Sequence, residues 1–216
     1  MKSEETKKLL ERAALIPVLR ASSVEIGHAL VDAMMAGGVT VIEVTMTVPD
    51  ATTLLGELKQ KHGDSLLLGS GTVTDAAQAQ ATIEAGAEFV VSPSLHLDVI
   101  AKTKELGKVS IPGALTPTEV ITAWRAGADY VKVFPCSAMG GASYLKALRA
   151  PFPELKLIPT GGVTFETAVD FLKAGASALG VGSDLVNAAA IAAGKPEIVT
   201  RTARAYVDII QAARSS

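Results

Sequence analysis

The sequence predicts an α/β fold, a single (β/α)8 TIM barrel over residues 1–216 with an extra N-terminal helix. Eight short, β-branched apolar runs alternate with segments whose apolar residues recur at helical spacing, and this alternation implies parallel strands. Eight such units are the number that closes a parallel sheet into a barrel. A doubly wound open sheet is the alternative fold, but no G-x-G-x-x-G run follows the first strand.

The elements can be assigned in chain order. A charged amphipathic run, Ser3–Ala14, predicts the helix that precedes the first strand and covers the barrel floor. The predicted strands are Ile16–Arg20, Val41–Met46, Leu66–Gly69, Phe89–Ser92, Val109–Pro112, Tyr130–Phe134, Lys156–Pro159 and Ala178–Gly182. The helical periodicity between them is clearest in Ala51–Lys61 and Pro117–Arg125.

A repeated glycine signal supports the count of eight. Four Ala-Gly pairs each close a predicted helix just before an even-numbered strand, where glycine suits the left-handed end of a helix. Their glycines are Gly37, Gly86, Gly127 and Gly175. This regularity is structural and indicates no particular function.

The composition excludes several classes of protein. Although 49% of the residues are hydrophobic, no apolar run reaches the roughly 18 residues of a membrane span. The net charge is −2 without a basic cluster, so neither nucleic acid nor a membrane is an expected partner. The charged N-terminus does not resemble a signal peptide, and the single cysteine, Cys136, cannot form an internal disulfide, so we expect a cytoplasmic protein. The three histidines are scattered, and we expect neither a metal site nor another cofactor.

Lys132 is a charged residue inside the apolar strand Tyr130–Phe134. An ammonium group in a dry interior is costly unless it is paired or loses its proton. A neutral amine in such a place can attack a carbonyl and form a Schiff base. The alternative is a strand-end lysine that reaches water or pairs with a carboxylate.

Glu43 is a second ionisable residue in an apolar strand. Strand alternation places Val41, Glu43 and Thr45 on one face and Ile42 and Val44 on the other. If Glu43 and Lys132 both point into the barrel, each lowers the cost of burying the other. Two interpretations remain open, a structural salt bridge and a general acid/base beside a nucleophilic amine.

Two glycine loops follow the last two predicted strands. Thr160-Gly161-Gly162 ends strand 7, and Gly182-Ser183 ends strand 8. Barrels commonly bind phosphate in these loops through backbone N–H groups. We therefore predict a phosphate site formed by Gly161, Gly162, Gly182 and Ser183.

Other polar residues are expected at the same end of the barrel. Arg20 follows strand 1, and Thr72 follows strand 3. The hydroxyls of Thr72 and Thr160 can bind a carboxylate or a substrate hydroxyl, or can cap a helix. Cys136 lies one residue after Phe134-Pro135, and we interpret it as a packing residue because no histidine is placed to activate it.

Together these residues resemble the 2-keto-3-deoxy-6-phosphogluconate (KDPG) aldolase family, which includes 4-hydroxy-2-oxoglutarate (KHG) and phosphogalactonate aldolases. The likeness runs from about Leu15 to Val186 in the order of the strands. The matching stretches are Ile16-Pro17-Val18-Leu19-Arg20, Glu43-Val44-Thr45, Gly69-Ser70-Gly71-Thr72-Val73, Val91-Ser92-Pro93, Ile111-Pro112-Gly113, Val131-Lys132-Val133-Phe134-Pro135, Pro151-Phe152-Pro153, Pro159-Thr160-Gly161-Gly162-Val163 and Gly180-Val181-Gly182-Ser183.

The resemblance implies a class I aldolase of the Entner–Doudoroff pathway. It would be a cytoplasmic homotrimer that needs no cofactor and cleaves KDPG to pyruvate and glyceraldehyde 3-phosphate. Lys132 would be the Schiff-base lysine and Glu43 the acid/base. The substrate-binding residues would include Thr72 at the pyruvate carboxylate, Phe134 against the pyruvyl group, and Pro93. The four residues of the predicted phosphate site would bind phosphate.

One position departs from part of the family. Some members carry arginine where this chain has Thr47, and that arginine would hold the substrate carboxylate; Arg20 is the natural substitute. The alternatives within the family are the phosphogalactonate and 4-hydroxy-2-oxoglutarate substrates. Outside it are a phosphosugar isomerase or epimerase that uses Glu43 alone, and a non-catalytic phosphosugar-binding barrel in which Lys132 and Glu43 form a structural pair.

Overall fold

The computed structural model describes residues 1–215, and residue 216 lies outside them. The α-helices are α1 Ser3–Ala13, α2 Val24–Ala36, α3 Ala51–His62, α4 Ala76–Glu84, α5 Leu97–Glu105, α6 Pro117–Arg125, α7 Ala142–Arg149, α8 Ala168–Lys173, α9 Ala188–Ala192 and α10 Pro196–Ser215. The strands are β1 Leu15–Leu19, β2 Val41–Thr45, β3 Leu67–Gly71, β4 Phe89–Val91, β5 Val109–Ile111, β6 Gly113–Ala114, β7 Val131–Val133, β8 Leu157–Pro159 and β9 Leu179–Val181.

The strands form a curled parallel sheet with helices in the connections. One part has the order β5-β4-β3-β2-β1-β9 and the other the order β6-β7-β8, and every pairing is parallel. Pro112 separates β5 from β6, because a proline has no N–H for a strand ladder. An isolated parallel bridge joins Thr160, just after β8, to Gly180 in β9.

Two buried clusters lie on opposite faces of the strands. The inner cluster contains the side chains that the curled strands enclose, including Ile16, Val41 and Phe89. The outer cluster packs the strands against the helices and includes Ile42 and Val44. The alternation predicted for β2 is therefore confirmed, and Glu43 shares the inner face with Val41.

The amino ends of the strands are bound to α1. This helix contacts β1, β2 and β5, and its Leu10 belongs to the inner cluster. The phenol of Tyr130 donates a hydrogen bond to Glu11 Oε1 at 2.9 Å, and Lys156 Nζ donates to the same oxygen at 2.7 Å. Two polar contacts thus fix α1 to the residues just before β7 and β8.

Every predicted strand is present, with its ends displaced by two residues at most. The fifth predicted strand, Val109–Pro112, ends at Ile111, and the short strand β6 after Pro112 was not predicted. Strand β3 extends through Gly71, where the sequence indicated a loop after Gly69. Helix α6 has the predicted bounds, and α3 ends one residue later than predicted. Within residues 1–215, no helix has the length and apolar character needed to cross a membrane.

Candidate active site

Lys132 is held at the centre of a three-stranded ladder. It lies in the middle of β7, paired in register with Gly113 of β6 and Ile158 of β8. Only 6% of its surface is exposed. Its Nζ lies 5.4 Å from the ring centroid of Phe134, a distance at which an aromatic face stabilises a cation.

Glu43 reaches the same point from β2. It is 2% exposed, and its Oε1 lies 3.7 Å from Lys132 Nζ. That separation is longer than a hydrogen bond, and Oε1 has no hydrogen-bond partner within residues 1–215. Since a buried acceptor without a partner is costly, this oxygen favours a proton-bearing group of a ligand.

Gly71 leaves space for the Glu43 carboxylate. A Cβ atom at position 71 would lie 1.9 Å from Glu43 Oε1. The pairing of Thr45 with Gly71 fixes the register that brings these two residues together. The end of β3 is therefore fitted to the carboxylate, which explains why glycine stands inside a strand there.

A cavity of about 490 Å³ opens next to Lys132. Its lining comes mainly from the segments that follow β1, β7, β8 and β9, at the carboxyl ends of the strands. The lining residues are Val18, Arg20, Lys132, Phe134, Thr160, Gly161, Gly162, Val163, Thr164, Gly182, Ser183, Asp184 and Val186. Eight of the eleven site residues expected from the sequence thus border one space, and Glu43 adjoins it through Lys132.

The glycine loop after β8 packs closely against the segment that follows β7. A Cβ at Gly162, whose φ is +76°, would lie 2.2 Å from the Cβ of Ser137. The N–H groups of Cys136 and Ser137 donate to the carbonyls of Thr160 and Gly161 at 2.9 and 3.1 Å. The segment after β7 thereby supports the loop after β8.

The two glycine loops, after β8 and after β9, offer backbone N–H donors to the cavity. Within residues 1–215, the N–H groups of Gly162, Val163 and Ser183 donate no hydrogen bond. Gly182 has no atom within 4 Å of a Cβ built on it, so the second loop is open toward the space. Free N–H groups in two adjacent loops are suited to an anion such as phosphate.

The remaining predicted ligands are placed differently. Arg20 is exposed and Thr160 is buried, and both border the cavity. Thr72 and Pro93 do not border it, although Thr72 follows the Gly71 that faces Glu43. Thr72 has a φ of +59°, which is rare for a β-branched residue and is typical of a functional position.

Thr47 and Cys136, the other two residues singled out in the sequence, do not have the chemistry of substrate-binding or nucleophilic residues here. Thr47 shares a 2.7 Å hydroxyl contact with Thr45, which donates to the carbonyl of Leu19. Cys136 is fully buried, and this burial raises its pKa to about 11, so its thiol is a poor nucleophile at neutral pH. Among the described residues, no group of three or more His, Cys, Asp or Glu side chains is arranged to hold a metal ion.

Sequence reasoning missed several lining residues. Val18 lies two positions before Arg20 on β1, so strand alternation was a sufficient signal for it. Thr164 and Asp184 lie just beyond the two glycine loops. Asp184 was not predicted because its partners, Phe165 and Tyr206, are about 20 residues away on either side.

The comparison with known proteins agrees with this geometry. The family model for KDPG and KHG aldolases matches residues 6–202. The chain belongs to the KDPG and KHG aldolase family. As a member of that family, this aldolase is a lyase.

Individual members of the KDPG and KHG aldolase family cover nearly the whole chain. The 2-dehydro-3-deoxy-6-phosphogalactonate aldolase of Escherichia coli K12 is 33% identical over 94% of this chain and 95% of its own. The 2-dehydro-3-deoxy-phosphogluconate aldolase of Treponema pallidum is 34% identical, over 93% and 95%. The crystal structure of Legionella pneumophila KDPG aldolase, with pyruvate captured as a covalent carbinolamine, superposes with a TM-score of 0.86 at 30% identity, covering 93% of this chain and 97% of that one.

Proposed function

We propose that this enzyme is a class I aldolase that reversibly cleaves KDPG to pyruvate and glyceraldehyde 3-phosphate through an imine on Lys132. The observation that carries the proposal is the buried amine of Lys132, 3.7 Å from the buried carboxylate of Glu43 and bordering the cavity. The covalent pyruvate carbinolamine of the Legionella relative supports the same chemistry.

The reaction follows from the placement of these two groups. The neutral amine of Lys132 attacks the C2 ketone, and the carbinolamine loses water to give a protonated imine. Glu43, directly or through a water molecule, takes the proton of the C4 hydroxyl. The C3–C4 bond then breaks, its electron pair moves to the imine as an enamine, and the aldehyde leaves. Protonation of the enamine at C3 and hydrolysis release pyruvate and the free amine.

The other residues bind the substrate in this proposal. Thr72 and Arg20 hold the carboxylate, since a guanidinium matches a carboxylate and Thr47 offers none. Phe134 contacts the pyruvyl group, and Thr160 binds beside it. Pro93 is assigned to the same group by the family resemblance alone, since it lies outside the cavity lining. The free N–H groups near Gly161, Gly162, Gly182 and Ser183 bind the phosphate, and the open space at Gly182 supports this assignment.

A second substrate has specific support. The Escherichia coli relative is named for phosphogalactonate, and it is as similar to this chain as the gluconate enzyme from Treponema pallidum. The two sugar acids differ in configuration at C4, where Glu43 acts. We therefore propose 2-keto-3-deoxy-6-phosphogalactonate as the alternative substrate and 4-hydroxy-2-oxoglutarate as a minor one. Comparing the kcat/KM values for the three compounds ranks them.

We extend the proposal to the architecture. The two parts of the sheet form one closed barrel in which β5 and β6 are a single strand interrupted at Pro112, and the bridge between Thr160 and Gly180 supports closure. Helix α1 is the extra helix at the floor, and residues 1–216 form one domain. The single cysteine supports a cytoplasmic location.

We also propose a homotrimer, consistent with the family. Large apolar side chains are exposed in segments that follow β4, β7 and β8, and they supply surface that a subunit contact would cover. They are Leu97, Met139 and Phe165. Sedimentation equilibrium measures the assembly, and a monomer would contradict this part of the proposal.

Borohydride trapping with pyruvate tests the central assignment. Reduction should attach pyruvate irreversibly to Lys132, and Lys132→Ala should abolish both the adduct and cleavage, because no other lysine among residues 1–215 lines the cavity. Lys156→Ala is the matched control, since Lys156 also lies over an aromatic ring, 5.6 Å from the Tyr130 centroid, but at the floor. It should retain the adduct. Mass spectrometry locates the adduct, and cleavage above about 1% of wild type in Lys132→Ala would refute the imine mechanism.

A further inference from the structure

Asp184 connects the two glycine loops. It lies directly after Gly182 and Ser183 and borders the cavity. Its Oδ2 accepts a hydrogen bond of 3.2 Å from the N–H of Phe165, which follows the loop that contains Gly161 and Gly162. A single carboxylate oxygen therefore links the segment after β9 to the segment after β8.

Tyr206 holds this link from the C-terminal helix. Its phenol donates a short hydrogen bond to the same Oδ2 of Asp184. The Tyr206 side chain on α10 is fully buried, and its ring meets that of Phe165 edge-on with centroids 5.8 Å apart. Burial, followed by the bond to Asp184, raises the pKa of the Tyr206 phenol, so the phenol stays protonated and remains a donor.

We infer that Asp184 and Tyr206 are positioning residues that set the distance between the two loops and so determine how well the enzyme binds a phosphorylated substrate. The inference deepens the proposed function and depends on it. A phosphate that bridges two loops needs both sets of N–H donors at fixed positions. The hydrogen bonds of Asp184 to Phe165 and Tyr206 join these two loops to the long helix α10.

The charge of Asp184 argues for positioning and against direct binding of phosphate. A carboxylate beside a phosphate dianion is repulsive, and the repulsion is stronger in a confined site than in water. Its presence at the cavity wall is explained by the two donors that it accepts. Removing the charge while keeping the acceptor should therefore improve phosphate binding, whereas removing either hydrogen-bonding partner should impair it.

Tyr206→Phe is the first test. The substitution deletes the hydroxyl donor and keeps the ring. We expect the KM for the phosphorylated keto acid to rise about tenfold, because the loss of a hydrogen bond to a charged group costs a free energy equivalent to at least that factor. Borohydride trapping of pyruvate, which carries no phosphate, should stay at the wild-type level. Inhibition by inorganic phosphate should weaken in parallel with the KM.

Tyr130→Phe is the matched control. Tyr130 is equally buried, and its phenol also donates to a carboxylate, Glu11, but at the opposite end of the strands. The two variants should lose comparable thermal stability, and only Tyr206→Phe should raise the KM. Equal KM values in Tyr130→Phe and Tyr206→Phe would overturn the inference. It would also be overturned if Tyr206→Phe lost pyruvate trapping to the same extent as phosphate binding.

Asp184→Asn and Asp184→Ala separate charge from position. Asparagine keeps an oxygen acceptor for both donors, so its KM should fall below that of wild type. Alanine removes the acceptor, so its KM should rise as in Tyr206→Phe, and an unchanged KM would refute the positioning role. If the wild type cleaves phosphorylated and unphosphorylated substrates equally well, the proposed phosphate site is refuted. If the wild type prefers the phosphorylated substrate and these variants have the same KM as the wild type, only the positioning role is refuted.

Discussion

At the scale of single residues, the site consists of an amine and a carboxylate that are close but not hydrogen-bonded. A structural salt bridge between buried groups is expected to make direct hydrogen bonds, because the desolvation of both charges is otherwise poorly compensated. The 3.7 Å separation of Lys132 Nζ from Glu43 Oε1 leaves each group free to bond to a substrate. This geometry favours the catalytic interpretation of the pair over the structural one.

Glu43→Gln tests that interpretation. Glutamine keeps the shape of the side chain but cannot carry the proton, and we expect cleavage to slow by about 10²–10⁴-fold, the usual contribution of a general acid/base. Some pyruvate should still be trapped on Lys132. Steady-state cleavage assays and mass spectrometry measure the two effects. A rate within about tenfold of wild type would identify Glu43 as a structural partner of Lys132.

Sequence reasoning found this pair because its signal is local. Lys132 and Glu43 each interrupt an apolar strand, and alternation alone places Glu43 on the inner face. The predicted end of β3, at Gly69, was wrong because the strand continues through glycines whose reason lies in distant residues. Gly69 lies under the ring of Phe89, and Gly71 faces the Glu43 carboxylate. The contact between Asp184 and Tyr206 was missed for the same reason, since tertiary packing of α10 creates it.

At the scale of elements, the close approach of β3 to the Glu43 carboxylate depends on glycine. A strand normally gains stability from side chains that pack on its faces, and glycine forgoes that gain. Here the side chain of Glu43 on β2 takes the space that a residue on β3 would have filled. The local stability of β3 and the position of the Glu43 carboxylate are therefore linked.

Gly71→Ala should displace the carboxylate. The added Cβ would lie 1.9 Å from Glu43 Oε1, so we expect a loss of about 1–3 kcal/mol in the free energy of unfolding, as for other overpacked sites. Cleavage should fall along with it, because Glu43 must move. Chemical denaturation and activity assays measure both effects.

Gly56→Ala is the control for this substitution. Gly56 lies within α3, and the nearest atom to an added Cβ is the Ala85 carbonyl oxygen at 3.9 Å. Alanine there should stabilise the protein by up to about 1 kcal/mol because it is the better helix former, and should leave activity unchanged. If both variants behaved alike, the space at Gly71 would not be limiting.

At the scale of the whole molecule, the inner cluster separates the polar contacts of α1 at the amino ends of the strands from the cavity at their carboxyl ends. Glu11 on α1 receives hydrogen bonds from Lys156 and Tyr130. Burial alone would raise the pKa of Glu11, but these two hydrogen bonds outweigh it and lower that pKa below its usual value. The folded state therefore favours ionised Glu11.

Glu11→Gln should consequently change the pH dependence of stability. A lowered folded-state pKa stabilises the protein above the unfolded pKa of about 4.5, and this contribution disappears as the pH falls through the folded-state pKa. Near neutral pH the wild type should have a higher melting temperature than the variant, and the difference should vanish in acid. The difference should be modest, because the side chains of Glu11 and Lys156 are each at least 40% exposed.

The control for Glu11→Gln is a surface pair. Glu105 pairs with Lys102 one helical turn away and is 65% exposed. Glu105→Gln should leave the melting temperature unchanged at every pH, because solvent screens this pair. Calorimetric melting curves between pH 3 and 7 compare the three proteins. A pH-independent difference between wild type and Glu11→Gln would contradict the assignment.

The buried thiol of Cys136 has a practical consequence for spectroscopy. With a pKa of about 11 and no exposed surface, it should be almost inert to maleimides at neutral pH, and the natural chain contains no other cysteine. A cysteine introduced at an exposed position, for example in place of Arg201 on the outer side of α10, would be the sole reactive thiol. A fluorophore attached there would report on whether the chain self-associates, without removal of the native residue.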